Sequence, residues 1–237
     1  MNPKLFLPIL ILLTACATDA VTEPGDSDAL GAATNISGTT EPGAGGLGSD
    51  LPETADSTVV LEVIPADEIM AVLDEAATRT GPLPETPDGI PHQQHNQNAP
   101  VEMQEALKAA VSELPGIYLE PTPFSFAGSI GWRLEEDYAS GSAGAFIQES
   151  PEFGHQHVPN DGSMHMLLPN EAAKIALGKG WGVMHPWTVS ISGENSEYVM
   201  IFGPRDTDEL QTVWVIAQIS YYQARGIDMP RSTLGIN

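Results

Sequence analysis

The segment EFGHQHVPNDGSMHMLLP, residues 152–169, constrains the fold of this chain more than any other stretch. Its centre, Pro-Asn-Asp-Gly, is typical of a type I turn, and Gly162 can adopt the positive φ that such turns use. Strand-forming residues flank the turn on both sides. We therefore predict a β-hairpin with strands over 152–158 and 163–168.

The same hairpin carries three of the six histidines. His155 and His157 are two residues apart on one predicted strand, so their side chains leave the same face of the sheet. An odd loop, such as 160–162 with a G1 bulge, sets His157 opposite His165 and places all three imidazoles together. An even loop of two or four residues sends His165 to the other face. The turn sequence is compatible with both registers.

Residue spacing predicts further elements around this hairpin. Strands are expected at 59–63, 124–134, 187–191 and 198–202. Helices are expected at 69–76, 101–114, 170–177 and 207–225. The last helix should begin with a capping box of Asp206 and Glu209, and its aromatic residues should lie in the core. Antiparallel strands with helices packed on one side predict an α+β fold with a mostly antiparallel sheet.

The N-terminal residues predict export and lipid attachment. Lys4 precedes an apolar run from Leu5 to Leu13 that is too short for a permanent membrane helix and typical of a secretory signal. The sequence LTAC resembles the bacterial lipobox, in which Cys16 is acylated and becomes the first mature residue. The alternative is an ordinary signal peptide cleaved near Ala17 or Ala20. Because Ala17 is not Asp, the resemblance favours the outer membrane of a bacterial envelope.

Composition divides the chain into a leader, a tether and a domain. Residues 1–15 are expected to be the lipoprotein signal peptide. Residues 16–57 are Gly-, Thr-, Ala- and acid-rich and cannot bury enough apolar area to fold, so we expect a disordered, lipid-anchored linker. Residues 58–115 should form the helical N-terminal part of the domain, and residues 116–237 should form the domain proper.

Charge and cysteine content restrict the partners. The chain has 32 acidic and 9 basic residues, a formal charge of −23 at pH 7, which repels phosphate backbones and anionic headgroups. We therefore expect no nucleic-acid partner and membrane contact only through the N-terminal lipid. Its one cysteine is Cys16, so the domain has no thiol for a disulfide or a thiolate metal site.

His185, in GKGWGVMHPW, is a further candidate site residue. Neutral imidazoles bind zinc, copper or iron, and one can act as a general base because an ordinary histidine titrates at about pH 6.5. The alternative is a set of partly exposed polar positions on an open sheet edge. His92 and His95 lie in a stretch rich in Pro, Gln and Asn, residues 82–99, which we interpret as a solvated linker rather than a metal site.

Three motifs together resemble the luciferase domain of fungal bioluminescence, a family with many uncharacterised bacterial members. They are EFGHQHVPNDGSMHMLL, LGKGWGVMHP and FGPRDTDELQTVWVIAQISYY, and the similarity covers about residues 150–225. The matching positions are His155, His157, Asp161, His165, Trp181, His185, Pro186 and Arg205. We expect no counterpart of the N-terminal membrane segment of the fungal enzymes, and we expect the predicted lipoprotein tether in its place.

The resemblance implies O₂-dependent chemistry on an enolisable aromatic pyrone. In the fungal reaction O₂ adds to a hydroxypyrone and gives an endoperoxide, so a base that forms the enolate and groups that hold the developing anion assist it. On this hypothesis one of His155, His157 and His165 is the base. His185 orients or donates, and Arg205 holds anionic oxygen. The supporting positions are Asp161, Gly162 and Trp181.

Three classes of function stay open at this point. One is an enzyme with O₂ as co-substrate and a small aromatic substrate. The second is a non-catalytic envelope module that binds a small aromatic ligand or a divalent transition metal through His155, His157 and His165. The third is a structural lipoprotein with surface histidines. Arg205 either holds anionic oxygen or forms a local ion pair with Asp206.

Overall fold

The computed structural model describes residues 60–230. The predicted signal peptide, Cys16 and the predicted linker lie outside these residues. Within the described range, none of the helices combines the length and apolarity that crossing a bilayer requires.

A single antiparallel sheet organises residues 60–230. Its strands are β1 (Ile117–Pro121), β2 (Ile130–Leu134), β3 (Glu152–Gln156), β4 (Met164–Pro169), β5 (Gly182–Met184) and β6 (Ser196–Ile201). Their order across the sheet is β1-β2-β3-β4-β6-β5. The helices are α1 (Ile69–Glu75), α2 (Val101–Ser112), α3 (Asn170–Gly178), α4 (Thr188–Ile191) and α5 (Thr207–Ala224). The predicted α+β class with a mostly antiparallel sheet is confirmed.

Strand β4 shows how the sheet acquires two different faces. Met164, Met166 and Leu168 point to one face and join the main core, which also contains residues of α1, α2, α3 and α5. His165 and Leu167 point to the other face, where Leu167 packs with Ile147 and Tyr198 in a small second cluster. One face is therefore apolar and covered by helices, and the other carries polar side chains under loops.

Helix α5 forms the centre of the helical layer and has the predicted start. The Asp206 carboxylate accepts a hydrogen bond from the backbone N–H of Glu209 at 2.9 Å. Glu209 does not return a bond to Asp206, because its carboxylate accepts the backbone N–H of Arg205 instead. The predicted inward stripe is fully buried: Leu210, Val213, Trp214, Ala217, Tyr221 and Ala224.

The strand predicted over 187–191 is wrong, because Thr188–Ile191 form the short helix α4. Val189 is 93% exposed, so its β-branched side chain packs against no neighbouring strand. The Thr188 hydroxyl instead bonds with the Ser192 hydroxyl, and the Ser192 backbone N–H bonds back to the Thr188 carbonyl. These local bonds outweigh the strand propensity of the segment.

The strand predicted at 59–63 is wrong for the described residues, and the one predicted at 124–134 is only partly right. In the first, residues 60–63 belong to no strand. The carbonyl oxygens of Val60 and Glu62 instead accept hydrogen bonds from side chains of α5, namely Gln211, Trp214 and Gln218. In the second, only Ile130–Leu134 of the predicted run 124–134 form a strand. Residues 124–128 form a turn, since Gly128 adopts a φ of 99°.

Candidate functional site

The hairpin has the odd loop that brings its three histidines to one face. His155 lies directly opposite His165 in the β3–β4 pairing. Beyond this pair, the His157 backbone N–H bonds to the Ser163 carbonyl at 2.9 Å, which leaves residues 158–162 as the loop. Gly162 has the expected positive φ, at 74°. The residue opposite His165 is therefore His155 rather than the expected His157. Because these two positions differ by two residues, all three histidines still lie on one face of the sheet.

Five imidazoles meet on this face, and we call them the histidine cluster. Its members are His92, His155, His157, His165 and His185. His165 lies at the centre, with the ring centroids of His185 at 4.5 Å, His157 at 4.6 Å, His155 at 5.0 Å and His92 at 5.3 Å. His155 and His157 have no exposed surface, and the other three are 4% exposed.

The interpretation of His92 as part of a solvated linker is wrong, whereas His95 is exposed as expected. Gln94, itself buried, holds the intervening loop against the domain. Its backbone N–H donates to Asp161 Oδ2 at 3.0 Å, and its side-chain oxygen accepts the Gly203 N–H at 3.0 Å. The length of the 82–99 loop was the available signal, since irregular segments this long in a compact domain are commonly functional.

A chain of hydrogen bonds fixes where the protons sit on two of the rings. Glu152 Oε1 lies 2.9 Å from His155 Nδ1, and His155 Nε2 lies 3.0 Å from His165 Nδ1. An ionised carboxylate only accepts, so His155 carries its hydrogen on Nδ1 and accepts at Nε2. His165 must then donate from Nδ1, which leaves the lone pair on Nε2. That atom is buried and has no hydrogen-bond partner within residues 60–230.

His157, like His165, is held through its Nδ1 atom and has no partner at Nε2 among the described residues. Its Nδ1 lies 3.0 Å from the Ser163 hydroxyl and 3.4 Å from Asp161 Oδ1, while its Nε2 is buried without a partner among the described residues. Burial raises the pKa of Asp161, but hydrogen bonds from His157 and Ser163 outweigh burial and hold that pKa below its ordinary value. The ionised Asp161 favours a hydrogen on His157 Nδ1, the ring nitrogen that faces it.

His185 has the opposite tautomer. The backbone N–H of Trp187 donates to His185 Nδ1 at 3.0 Å, so the neutral ring carries its hydrogen on Nε2. A donor role for His185 toward a substrate stays a prediction.

Burial keeps four of the five rings in the histidine cluster uncharged. Burial, together with neighbouring histidines, lowers the pKa of His92 to about 4 and that of His185 to about 3. The pKa of His165 falls well below its ordinary value for the same two reasons. Burial also lowers the pKa of His155, although Glu152 opposes this. These four rings are therefore neutral at pH 7.

Arg205 takes part in a different network. Its guanidinium bonds to the Glu209 carboxylate, to Gln97 Oε1 at 3.0 Å and to the Thr80 carbonyl at 2.9 Å. None of its bonds in the described range reaches a histidine, so a role in holding anionic oxygen stays a prediction. The local ion pair forms with Glu209, one helical turn on, rather than with Asp206.

Trp181 supports the fold rather than contacting the rings. It is buried in the main core, and its indole N–H donates to the Ala77 carbonyl at 2.9 Å. This bond ties the start of β5 to the chain that follows α1.

Glu152 is a site residue that the sequence patterns did not reveal. A β-bulge lies between β2 and β3, where pairing passes from Trp132–Gly154 to Arg133–Glu152 and leaves Phe153 as the extra residue. Phe153 packs with the main core, and Glu152 turns to the histidine face. Only a charged residue inside a predicted strand hinted at this arrangement.

Two groups of histidines could hold a metal ion: His155, His157 and His165, and His92, His165 and His185. Within each group the ligand nitrogens lie within 4.8 Å of one another. The free Nε2 atoms of His157 and His165 fit such a role, because each ring directs its Nδ1–H at an acceptor, as metal-bound histidines do. His155 fits less well, since both of its nitrogens are engaged.

Comparisons with known proteins agree with the motifs. Residues 150–220 match the family model described as Luciferase domain. Luciferases of Armillaria gallica and Armillaria mellea are 28% and 27% identical to this chain over 163 residues. Each alignment covers 62% of this chain and 60% of the relative, so the chain spans less than two thirds of these relatives. No solved structure matches significantly. The predicted resemblance is confirmed.

The lowered pKa values of His92 and His185 predict a loss of stability in mild acid. Unfolded histidines take up protons near their ordinary pKa of 6.5, whereas folded His92 and His185 resist protonation down to about 4 and about 3. The stabilisation is therefore complete above pH 6.5 and is lost as the pH falls from 6.5 toward 4 for His92 and toward 3 for His185. We expect the Tm, followed by circular dichroism, to fall between about pH 7.5 and about pH 5.5, above the range of most carboxylates.

His92→Gln should flatten this pH dependence, because it removes one ring with a lowered pKa. His95→Gln is the matched control, since His95 is exposed and should leave the slope unchanged. A Tm that stays constant across this window would contradict a buried neutral cluster.

Proposed function

We propose that this protein is a luciferase-like oxidoreductase that catalyses the O₂-dependent oxidation of a small, enolisable, pyrone-like aromatic substrate. The observation that carries the proposal is that His165 Nε2 is buried and without a partner in the described range, while His165 Nδ1 is bonded to His155. It lies beside a ring of opposite polarity, His185, inside the segment that matches the Luciferase domain model.

In the proposed reaction His165 Nε2 removes the hydroxyl proton of the substrate, and the electron pair of the O–H bond enters the ring as an enolate. The Nε2–H of His185 donates to the oxygen that gains negative charge. O₂ then takes two electrons from the ring as two C–O bonds form, and His165 returns the proton. The product is the sum of substrate and O₂, an endoperoxide, so no external reductant is needed.

The substrate would approach from the side of His185. His92, His165 and His185 retain slight exposure, whereas His155 and His157 have none. Trp187 follows His185 closely, with ring centroids 5.9 Å apart, and is 45% exposed. An exposed indole beside His185 suits an aromatic substrate, which would stack on it.

The activity test measures O₂ consumption by the full chain with a hydroxypyrone as substrate. We expect His165→Gln to lower kcat by about 100- to 10,000-fold, the usual contribution of a general base. His95→Gln is the control and should retain full activity. If His165→Gln consumes O₂ as fast as the unaltered chain, His165 is not the base.

A second candidate function is metal binding by His157 and His165. The observation in its favour is that both rings present a free, buried Nε2 while their Nδ1 atoms are held by acceptors. Imidazole nitrogens of this kind suit zinc, copper or iron. A metal would supply Lewis acidity or redox chemistry, and these two residues would hold it.

Metal analysis separates the two candidates. For the oxidoreductase proposal we expect O₂ consumption with the hydroxypyrone to persist after dialysis against a chelator. Stoichiometric metal that is lost in His157→Ala but retained in His95→Ala, together with activity lost on chelation, would favour the metal-dependent alternative. The measurements are metal content by mass spectrometry and O₂ uptake on the same samples.

We further propose that the mature chain is a bacterial envelope lipoprotein, attached to the outer membrane through a lipid on Cys16 and through no other contact. The support is the lipobox-like sequence before Cys16 and the acidic composition, which disfavours contact with anionic lipid or nucleic acid.

Cys16→Ala should release the chain from the membrane fraction and abolish incorporation of labelled palmitate. The acyl chains alone supply the proposed membrane affinity, so nothing else should retain the protein. The check is fractionation with immunoblotting, using Ala17→Ser as the control. Unchanged membrane association of Cys16→Ala would contradict this mode of attachment.

A further inference from the structure

Glu152 is a buried carboxylate that lies next to His155 of the histidine cluster. It has no exposed surface, although an isolated buried charge is strongly destabilising. Its Oε1 accepts from the Thr122 hydroxyl at 2.8 Å and faces His155 Nδ1 at 2.9 Å. Its Oε2 lies 3.4 Å from the Arg133 guanidinium.

We propose that Glu152 is a positioning residue that fixes the hydrogen of His155 on Nδ1, and through His155 the hydrogen of His165 on Nδ1, so that His165 Nε2 is the proton acceptor. This inference rests on the proposed function for its catalytic meaning. The tautomers themselves follow from the three side chains and can be measured without any substrate.

The direction of this hydrogen-bond chain is forced at its start. The Thr122 hydroxyl oxygen accepts the backbone N–H of Phe124 at 3.1 Å, so its own hydrogen is free to go to Glu152 Oε1. Glu152 Oε1 is thus an acceptor from two sides, and His155 can only donate to it. His155 Nε2 then accepts, and His165 Nδ1 donates. With Glu152 as acceptor and His155 neutral, this is the one arrangement of hydrogens that satisfies all of these contacts.

An ion pair with Arg133 does not account for Glu152. Arg133 is closer to Glu120, at 2.8 Å, than to Glu152, at 3.4 Å. Glu152 is in turn closer to His155 than to Arg133. The shortest contacts of this carboxylate are therefore those toward Thr122 and the histidine cluster.

Two features of the backbone hold Glu152 in place. The bulge at Phe153 turns Glu152 to the histidine face, as described above. Gly131, which pairs with His155 across β2 and β3, leaves the space that the carboxylate fills. A Cβ on Gly131 would lie 2.6 Å from Glu152 Oε2, so any larger residue there must displace the carboxylate.

When His165 Nε2 takes a proton, this chain can spread the positive charge. His165 Nδ1–H is already directed at His155, and His155 Nδ1–H is directed at Glu152, so the new charge faces an anion through one intervening ring. An outer-shell carboxylate that orients an imidazole in this way typically changes activity by about 10- to 100-fold when removed.

The first measurement is the tautomeric state of the histidines by ¹⁵N NMR of the full chain. In the unaltered protein we expect His155 and His165 as Nδ1–H tautomers, with Nε2 of His165 unprotonated. Glu152→Leu removes the acceptor and should abolish the single tautomer at both rings. Gly131→Ala should have the same effect by displacing Glu152, and Gly89→Ala is its control because a Cβ there meets nothing within 4 Å.

The second measurement is hydroxypyrone-dependent O₂ uptake by the full chain. Glu152→Gln keeps the size and the Oε1 acceptor but removes the charge, so it should preserve the tautomers and fold. We expect it to lower kcat by about 10- to 100-fold with little change in KM. A purely structural role would leave kcat unchanged in this near-isosteric variant.

The outcomes distinguish this inference from the proposed function. Tautomers that depend on Glu152 in a protein that consumes no O₂ would support the positioning role and overturn the oxidoreductase proposal. An active protein whose His165 tautomer and kcat are unaffected by Glu152→Gln, Glu152→Leu and Gly131→Ala would overturn the positioning role alone. If Glu152→Leu does not fold, the results for Glu152→Gln and Gly131→Ala decide whether Glu152 is a positioning residue.

Discussion

The pairing of His155 with His165 across β3 and β4 is the constraint on which the site depends. A shift of one residue would send His165 to the helix-covered face and expose Met164, Met166 and Leu168. Burying each of these apolar side chains contributes about 1.5–3 kcal/mol, so the shifted register is strongly disfavoured. The apolar residues of β4 therefore select the odd loop that the turn sequence alone left open.

The elements with strong periodicity could be predicted from the sequence, and those that depend on distant contacts could not. Helix α5 has a capping residue and a continuous apolar stripe, and it was predicted almost to the residue. The segment Thr188–Ile191 has the composition of a strand, but its backbone joins no strand pairing within residues 60–230. Local hydrogen bonds decide its conformation, and composition does not record them.

The residues of the candidate site also divide into those that spacing or motif predicts and those that distant contacts place. The three hairpin histidines and His185 were identified from spacing and motif, since two of them alternate on one strand and the others lie in recognisable contexts. His92 and Glu152 were missed because tertiary contacts place them. Gln94 anchors the loop that carries His92, and a bulge turns Glu152 toward the rings. Neither a long-range anchor nor a bulge leaves a periodic pattern.

The hydrogen bonds of the cluster bear on the choice between proton transfer and metal binding. Each group of histidines that could hold a metal contains one ring whose bonds oppose coordination. His155 has both nitrogens engaged, and His185 carries its hydrogen on Nε2 because Trp187 donates to Nδ1. Coordination by all three rings of either group would break a bond that the fold provides. The proposed proton transfer uses His165 and His185 in the tautomers that their hydrogen bonds favour, with His165 Nε2 accepting and His185 Nε2–H donating, and so requires no rearrangement.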